Sequence, residues 1–138
     1  MAVRPSGVAF LDTNVLLYLV SSDATKADRA EALLGQGGVI SVQVLNEFAN
    51  AGRRKAALAW DEVADILGLI RRQCRVVSLS VEVHDRGIAL ARRLSLSVYD
   101  AMIVAAALES GAGTLYSEDM QHGLRVDRAL TILNPFAA

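Results

Sequence analysis

Cysteine is nearly missing from this sequence: Cys74 stands alone, so no internal disulfide can form and a zinc site built from thiolates is excluded. A reducing compartment suits such a chain. Histidine is almost as scarce, and His84 and His122 have no ligand-like spacing. No apolar run reaches the ~18 to 20 residues that a membrane span requires. Asp12, Asn14 and Asp23 interrupt the first such run, and Glu109 ends the longest later one. The opening residues, MAVRPSGVAF, lack the basic start, apolar stretch and small-residue cleavage site of a secretory signal, so a soluble, cytoplasmic protein with no membrane partner is expected. Repeats, low-complexity tracts and dividing linkers are missing too, and residues 1–138 are expected to form one domain. The net charge of −1 carries no general attraction for nucleic acid.

What is present is a core-forming composition, 53% hydrophobic and 21% charged, arranged as short β-like runs alternating with helical patterns. GVAFLD reads as a strand ending at Asp12, with a helix starting in TNVLLYLV. The helix DATKADRAEALL leads through the turn GQGG to the short strand VIS. In VQVLNEFANAGRRK, residues Val44, Leu45, Phe48 and Gly52 share one helical face, and WDEVADILGLIRRQC repeats the pattern with Asp61 as its expected N-cap. RVVSLS reads as a strand and VEVHDRGIALARRL as an amphipathic helix. YDAMIVAAAL is apolar on every side, the mark of a helix buried all round. TLYS and ALTIL are the last strands. Strands separated by helices predict an α/β fold with a central, mainly parallel sheet covered on both faces. In such sheets ligands bind just beyond the carboxyl ends of the strands.

Four carboxylates fall in that region or beside it. Asp12 ends the first strand inside an apolar run, Glu47 borders the apolar stripe of its helix beside Gln43 and Asn50, Asp100 opens the buried helix, and Asp119 follows TLYS. Singly, each has an ordinary explanation: an N-cap, an edge-of-stripe glutamate, a complement to a helix dipole, a turn residue. Together they would repel, and carboxylates sharing a pocket either protonate in part or recruit a cation. Oxygen ligands without histidine or cysteine point to a hard ion, Mg²⁺ or Mn²⁺. Such an ion can polarise a phosphoryl oxygen and make water a nucleophile at neutral pH, so hydrolysis of a phosphodiester, leaving 5′-phosphate and 3′-hydroxyl ends, is the expected reaction. Setting those four charges aside turns the net charge from −1 to +3. The run Arg53, Arg54 and Lys55 is the expected contact to the phosphate backbone of such a substrate.

The segments FLDTNVLLYL, SVQVLNEF, YDAMIVAAAL and LYSEDMQHG, in this order and over nearly the whole chain, resemble the motifs of PIN-domain nucleases, and more narrowly the VapC-type ribonuclease toxins of toxin–antitoxin pairs. The resemblance implies a three-layer α/β/α sandwich and an Mg²⁺ or Mn²⁺ site made by Asp12, Glu47, Asp100 and Asp119. Asn14, Ser41 and Ser117 match positions that orient the carboxylates or the waters of the metal. In the fourth motif Glu118 and Asp119 are adjacent and either could be the ligand, with Asp119 favoured. The resemblance also implies endonucleolytic cleavage of RNA, a homodimer, and a cognate antitoxin that covers the site.

Other carboxylate-based α/β proteins fit less well. A phosphorylated receiver domain needs a late lysine, and the only lysines are Lys26 and Lys55; a haloacid-dehalogenase-like phosphatase needs an aspartate at the position of Asn14. GQGG runs into a strand instead of a helix, which excludes a dinucleotide fingerprint or P-loop. From a different class, a catalytically silent PIN-like module that binds RNA or regulates a partner remains the alternative, although it would have no use for the repulsion among four carboxylates.

Overall fold

Capped helices and short apolar strands alternate along residues 8–137, which are the residues that the computed structural model describes. The reading of the first residues as lacking a secretion signal falls mainly outside them. Strand β1 (Ala9–Leu11) runs into a short helix α1 (Thr13–Leu17) that tightens to a 3₁₀ turn at Tyr18–Val20. Then follow α2 (Ala24–Gly35), β2 (Gly38–Ser41), α3 (Val42–Arg54), α4 (Trp60–Gln73), β3 (Cys74–Val77), α5 (Val81–Leu94), α6 (Val98–Ser110), β4 (Thr114–Tyr116), β5 (Arg125–Val126) and β6 (Leu130–Leu133). Four helix starts obey one rule: Asp23, Ser41, Ser80 and Ser97 each accept the backbone N–H three residues on, filling a donor the helix cannot satisfy itself.

The strands form one sheet in the order β3-β2-β1-β4-β6-β5, parallel except for the β5–β6 hairpin. Chain order moves outward from β1 to β2 and β3, then returns past β1 to β4. Helix α6 carries an unbroken buried run, Ala101 to Ala107, and lies across β2 and β4. Its neighbour α5 approaches it at Gly87, where a Cβ would stand 2.7 Å from the Met102 sulfur. Phe10, Leu16, Ile40, Phe48, Ile103, Leu115 and Ile132 are among the fully buried side chains between these layers. This is the three-layer α/β/α arrangement expected from the alternating pattern.

Three local expectations need correction. Asp61 is not the N-cap of α4: that position is Ala59, whose N–H is taken by Glu62 at 2.8 Å, so Asp61 sits inside the first turn where its charge complements the helix dipole. Strand β3 is Cys74–Val77 and not the whole of RVVSLS: Cys74 leaves the expected helix for the strand, and the last three residues lead into α5, which Ser80 caps. Strand β5 went unforeseen; two residues, Arg125 and Val126, are too few to display an alternating pattern.

Gly38 of β2 lies close against the backbone of β1. A Cβ there would lie 2.9 Å from the Ala9 carbonyl oxygen, a backbone atom that cannot swing aside, whereas Gly35 has nothing within 4 Å. Gly38→Ala should therefore destabilise by about 1–3 kcal/mol, and Gly35→Ala should be neutral or slightly stabilising. Urea unfolding of the two variants checks this; equal midpoints would contradict the close approach.

Candidate active site

The reversal of strand order places the topological switch between β1 and β4, and their carboxyl ends open a crevice there. Asp12 and Ser117 are the residues that leave these two strands. Asp12 N–H donates to the Tyr116 carbonyl at 3.0 Å, extending the β1–β4 pairing by one step before the chain turns into α1. Only 3% of Asp12 is exposed. Its Oδ1 accepts the Thr13 N–H at 2.7 Å, and its Oδ2 accepts the Ser117 hydroxyl at 2.8 Å and the Asn14 amide at 3.2 Å. Burial, opposed by the bonds from Ser117 and Thr13 and reinforced by the charges of Asp100 and Glu47, pushes its carboxyl up to about 7. As N-cap of the five-residue α1, Asp12 does play the ordinary role considered for it. That role explains one bond and not the burial.

Glu47 is brought to the same crevice by α3. Its two oxygens are held apart by Thr13 Oγ1 at 2.7 Å and Gln43 Nε2 at 2.6 Å. Asp100 occupies the first turn of α6, whose start is fixed by the Ser97 cap, and burial followed by the charges of Asp119 and Glu47 raises its carboxyl above the usual range. Asp119 and Glu118 part company. Glu118 Oε2 pairs with Lys26 Nζ at 2.7 Å and its Oε1 accepts the Tyr18 hydroxyl at 2.6 Å. Burial would raise Glu118, yet these two partners hold it below its ordinary value. Asp119 is left facing the crevice, with its N–H on Ser117 Oγ at 3.3 Å.

Asp12, Glu47, Asp100 and Asp119 thus line one cleft of ≈ 290 Å³, together with Thr13, Asn14, Leu17, Asn50, Ala51, Arg54 and Lys55. Asn14 ties its two edges: its amide donates to Asp12 and its carbonyl oxygen accepts Glu118 N–H at 3.0 Å. Ser117 is fully buried beneath them. Ser41 is buried as well, but its hydroxyl caps α3 by accepting Val44 N–H, so it acts on Glu47 through the helix it starts. Of the basic run, Arg54 and Lys55 reach the cleft, while Arg53 turns away to Leu58 and Trp60. Thr13 was not foreseen as a partner of Glu47. Gln43 lies on the side of α3 expected from the helical pattern, and its spacing of four from Glu47 is the sequence signal for their pairing.

A cleft rimmed by four carboxylates, two of them raised by burial and by neighbouring carboxylates, suits a divalent cation. Among the described residues no three such groups stand close enough to grip an ion on their own. An ion bound here would have few direct protein ligands and keep much of its water, which is the habit of Mg²⁺.

Without metal, the raised Asp12 has a definite consequence. The folded form holds this proton more tightly than the unfolded chain, so its contribution to stability is complete below the ordinary value of 3.8 and is lost as pH rises through about 7. In EDTA, wild type should lose melting temperature between pH 5 and 8. Asp12→Asn should flatten that decline and be the more stable protein at pH 8 by about 1–2 kcal/mol. Thermal melts across this range decide; an equally steep decline in the variant would contradict a raised Asp12.

No curated protein matches the chain in sequence. Solved structures share its fold at low identity. A chain of a toxin–antitoxin complex from Klebsiella pneumoniae superposes with a TM-score of 0.69 at 21% identity, covering 94% of this chain and 99% of that one. VapC20 of Mycobacterium tuberculosis, a sarcin-ricin loop cleaving toxin, gives 0.66 at 20% identity over 80% of this chain and 89% of its own. VapBC2 from Rickettsia felis, solved on a promoter DNA fragment, gives 0.68 at 18% identity over 92% and 98%. Such identities establish likeness of fold, and the family follows from the sequence itself, since the PIN domain model matches residues 9–125: this chain belongs to the PIN domain family.

Proposed function

We propose that this PIN domain is a divalent-metal-dependent endoribonuclease of the VapC type, the toxin of a toxin–antitoxin pair. The observation that carries the proposal is the convergence of Asp12, Glu47, Asp100 and Asp119 from four separate elements on one cleft. These four would hold Mg²⁺ or Mn²⁺ largely through the waters the ion keeps. The bound ion would supply positive charge for the phosphoryl oxygens and make water nucleophilic at neutral pH. Asn14 and Ser117 fix Asp12, and Thr13 and Gln43 fix Glu47, so the acidic groups need not reorganise when charge develops. Arg54 and Lys55, at the rim, would take the phosphates on either side of the scissile bond.

RNA as substrate and an antitoxin as partner are supported by the fold neighbours, one a sarcin-ricin loop cleaving toxin and another part of a toxin–antitoxin complex. A cytoplasmic homodimer whose antitoxin covers the cleft is the setting that goes with this reading. Among the described residues no helix is long and apolar enough to cross a membrane.

The test is cleavage of a pool of tRNA, rRNA and mRNA by antitoxin-free protein with Mg²⁺ or with EDTA. Wild type should cut only with metal. Asp12→Asn and Asp119→Asn should lose more than the roughly 10- to 100-fold that removing an outer-shell partner costs, Asn14→Ala should fall within that range, and Glu118→Gln should stay within several-fold of wild type. Metal-independent cutting, or equal losses in Glu118→Gln and Asp119→Asn, would contradict the assignment. RNA binding by wild type without cleavage would favour the silent module.

A further inference from the structure

Trp60 is the only tryptophan of the chain, and the fold leaves it 64% exposed at the start of α4. Large aromatic rings are usually more covered than this. The ring is nevertheless held in place. The Arg53 guanidinium lies over it, 4.6 Å from the ring centroid, and the same side chain donates to the Leu58 carbonyl at 2.8 Å. Leu58 N–H in turn donates to the Gly52 carbonyl at 3.0 Å, and the Leu58 side chain packs so close to Gly52 that a Cβ there would be 3.2 Å away. Between them Ala57 takes a left-handed backbone, φ 54°, to reverse the chain. The α3–α4 connection is therefore fastened to α3 through Leu58. With Arg53 over one face, an exposure of 64% leaves the opposite face open.

The next two residues of the chain after Arg53, Arg54 and Lys55, line the cleft of the four carboxylates. We infer that Trp60, backed by Arg53, is a stacking platform for one base of a single-stranded RNA whose phosphates pass along Arg54 and Lys55. This rests on the nuclease reading and adds a base-contacting subsite to it. The charge argues for RNA over an apolar protein segment: Arg53 covers one face of the ring and is followed in the chain by two more cations, while of the two acidic residues after Trp60 Glu62 is turned back onto Ala59 N–H, leaving Asp61. A π-face accepts any base, so the platform would strengthen binding and place the strand without selecting a sequence.

The experiment uses the full chain in EDTA, so that RNA is bound and not cut, and reads Trp60 emission directly. Single-stranded oligoadenylate should quench it, while inorganic polyphosphate, which offers charge without bases, should bind and leave it unchanged. By anisotropy of labelled RNA, Trp60→Ala should weaken binding roughly 5- to 100-fold, Trp60→Phe should keep most of the affinity, and polyphosphate should bind all three proteins alike. The inference is overturned by equal quenching with polyphosphate, by unchanged RNA affinity in Trp60→Ala, by absence of RNA binding, or by emission that follows protein self-association and ignores RNA. Loss of metal-dependent cleavage with quenching intact would overturn the nuclease reading alone, so the two failures are separable.

Discussion

The buried carboxylate of Asp12 is the constraint around which the rest of the site is arranged. An ionised group at 3% exposure costs several kcal/mol unless hydrogen bonds or an opposite charge offset it. Here three donors come from the start of α1 and the residue after β4: Thr13 N–H, the Asn14 amide and the Ser117 hydroxyl. Ser117 can reach Asp12 only because β1 and β4 pair in parallel with their carboxyl ends level, Leu11 beside Tyr116. The order of the sheet and the chemistry of the site are thus one fact seen twice. Shifting β4 by one residue would turn Ser117 away and leave Asp12 short of a donor.

Repulsion is built into the same cleft. Burial and neighbouring charges raise both Asp12 and Asp100, and hydrogen bonds within the protein only partly offset this. A fold selected for stability alone would gain by replacing one of these carboxylates with an amide. Keeping all four is reasonable when a cation completes the site, because the ion turns mutual repulsion into shared attraction. Lys26 does not do this: it is engaged by Glu118 and Tyr18 and drawn across the ring of Phe136. By claiming Glu118 it also separates two adjacent acidic residues into different jobs.

Much of this geometry is legible in the sequence, and the gaps have physical causes. Helix α5 spans the residues its apolar periodicity marks, Val81–Leu94, because its serine cap and its pattern agree. Burial of α6 follows from its lack of any polar face. The convergence of Asp12, Glu47, Asp100 and Asp119 could be inferred because three of them sit at the ends of elements that a parallel sheet aligns, while Glu47 borders the apolar stripe of its helix. The division between Glu118 and Asp119 could not, since it depends on a lysine 92 positions away. Likewise nothing local reveals that Arg53 leaves the run Arg53, Arg54 and Lys55 to cover Trp60. Strand β5 is held by pairing with β6 and not by its own two residues. Local propensity is readable; long-range pairing of polar side chains needs the fold.

The central claim is that one cation is shared by carboxylates from separate elements. Its most direct measurement is the melting temperature of wild type and of Asp100→Asn, each in EDTA and in Mg²⁺. A shared site predicts that Mg²⁺ raises wild type by several degrees, through binding to the folded form alone, and moves Asp100→Asn little from its value in EDTA. Equal shifts in the two proteins would contradict it.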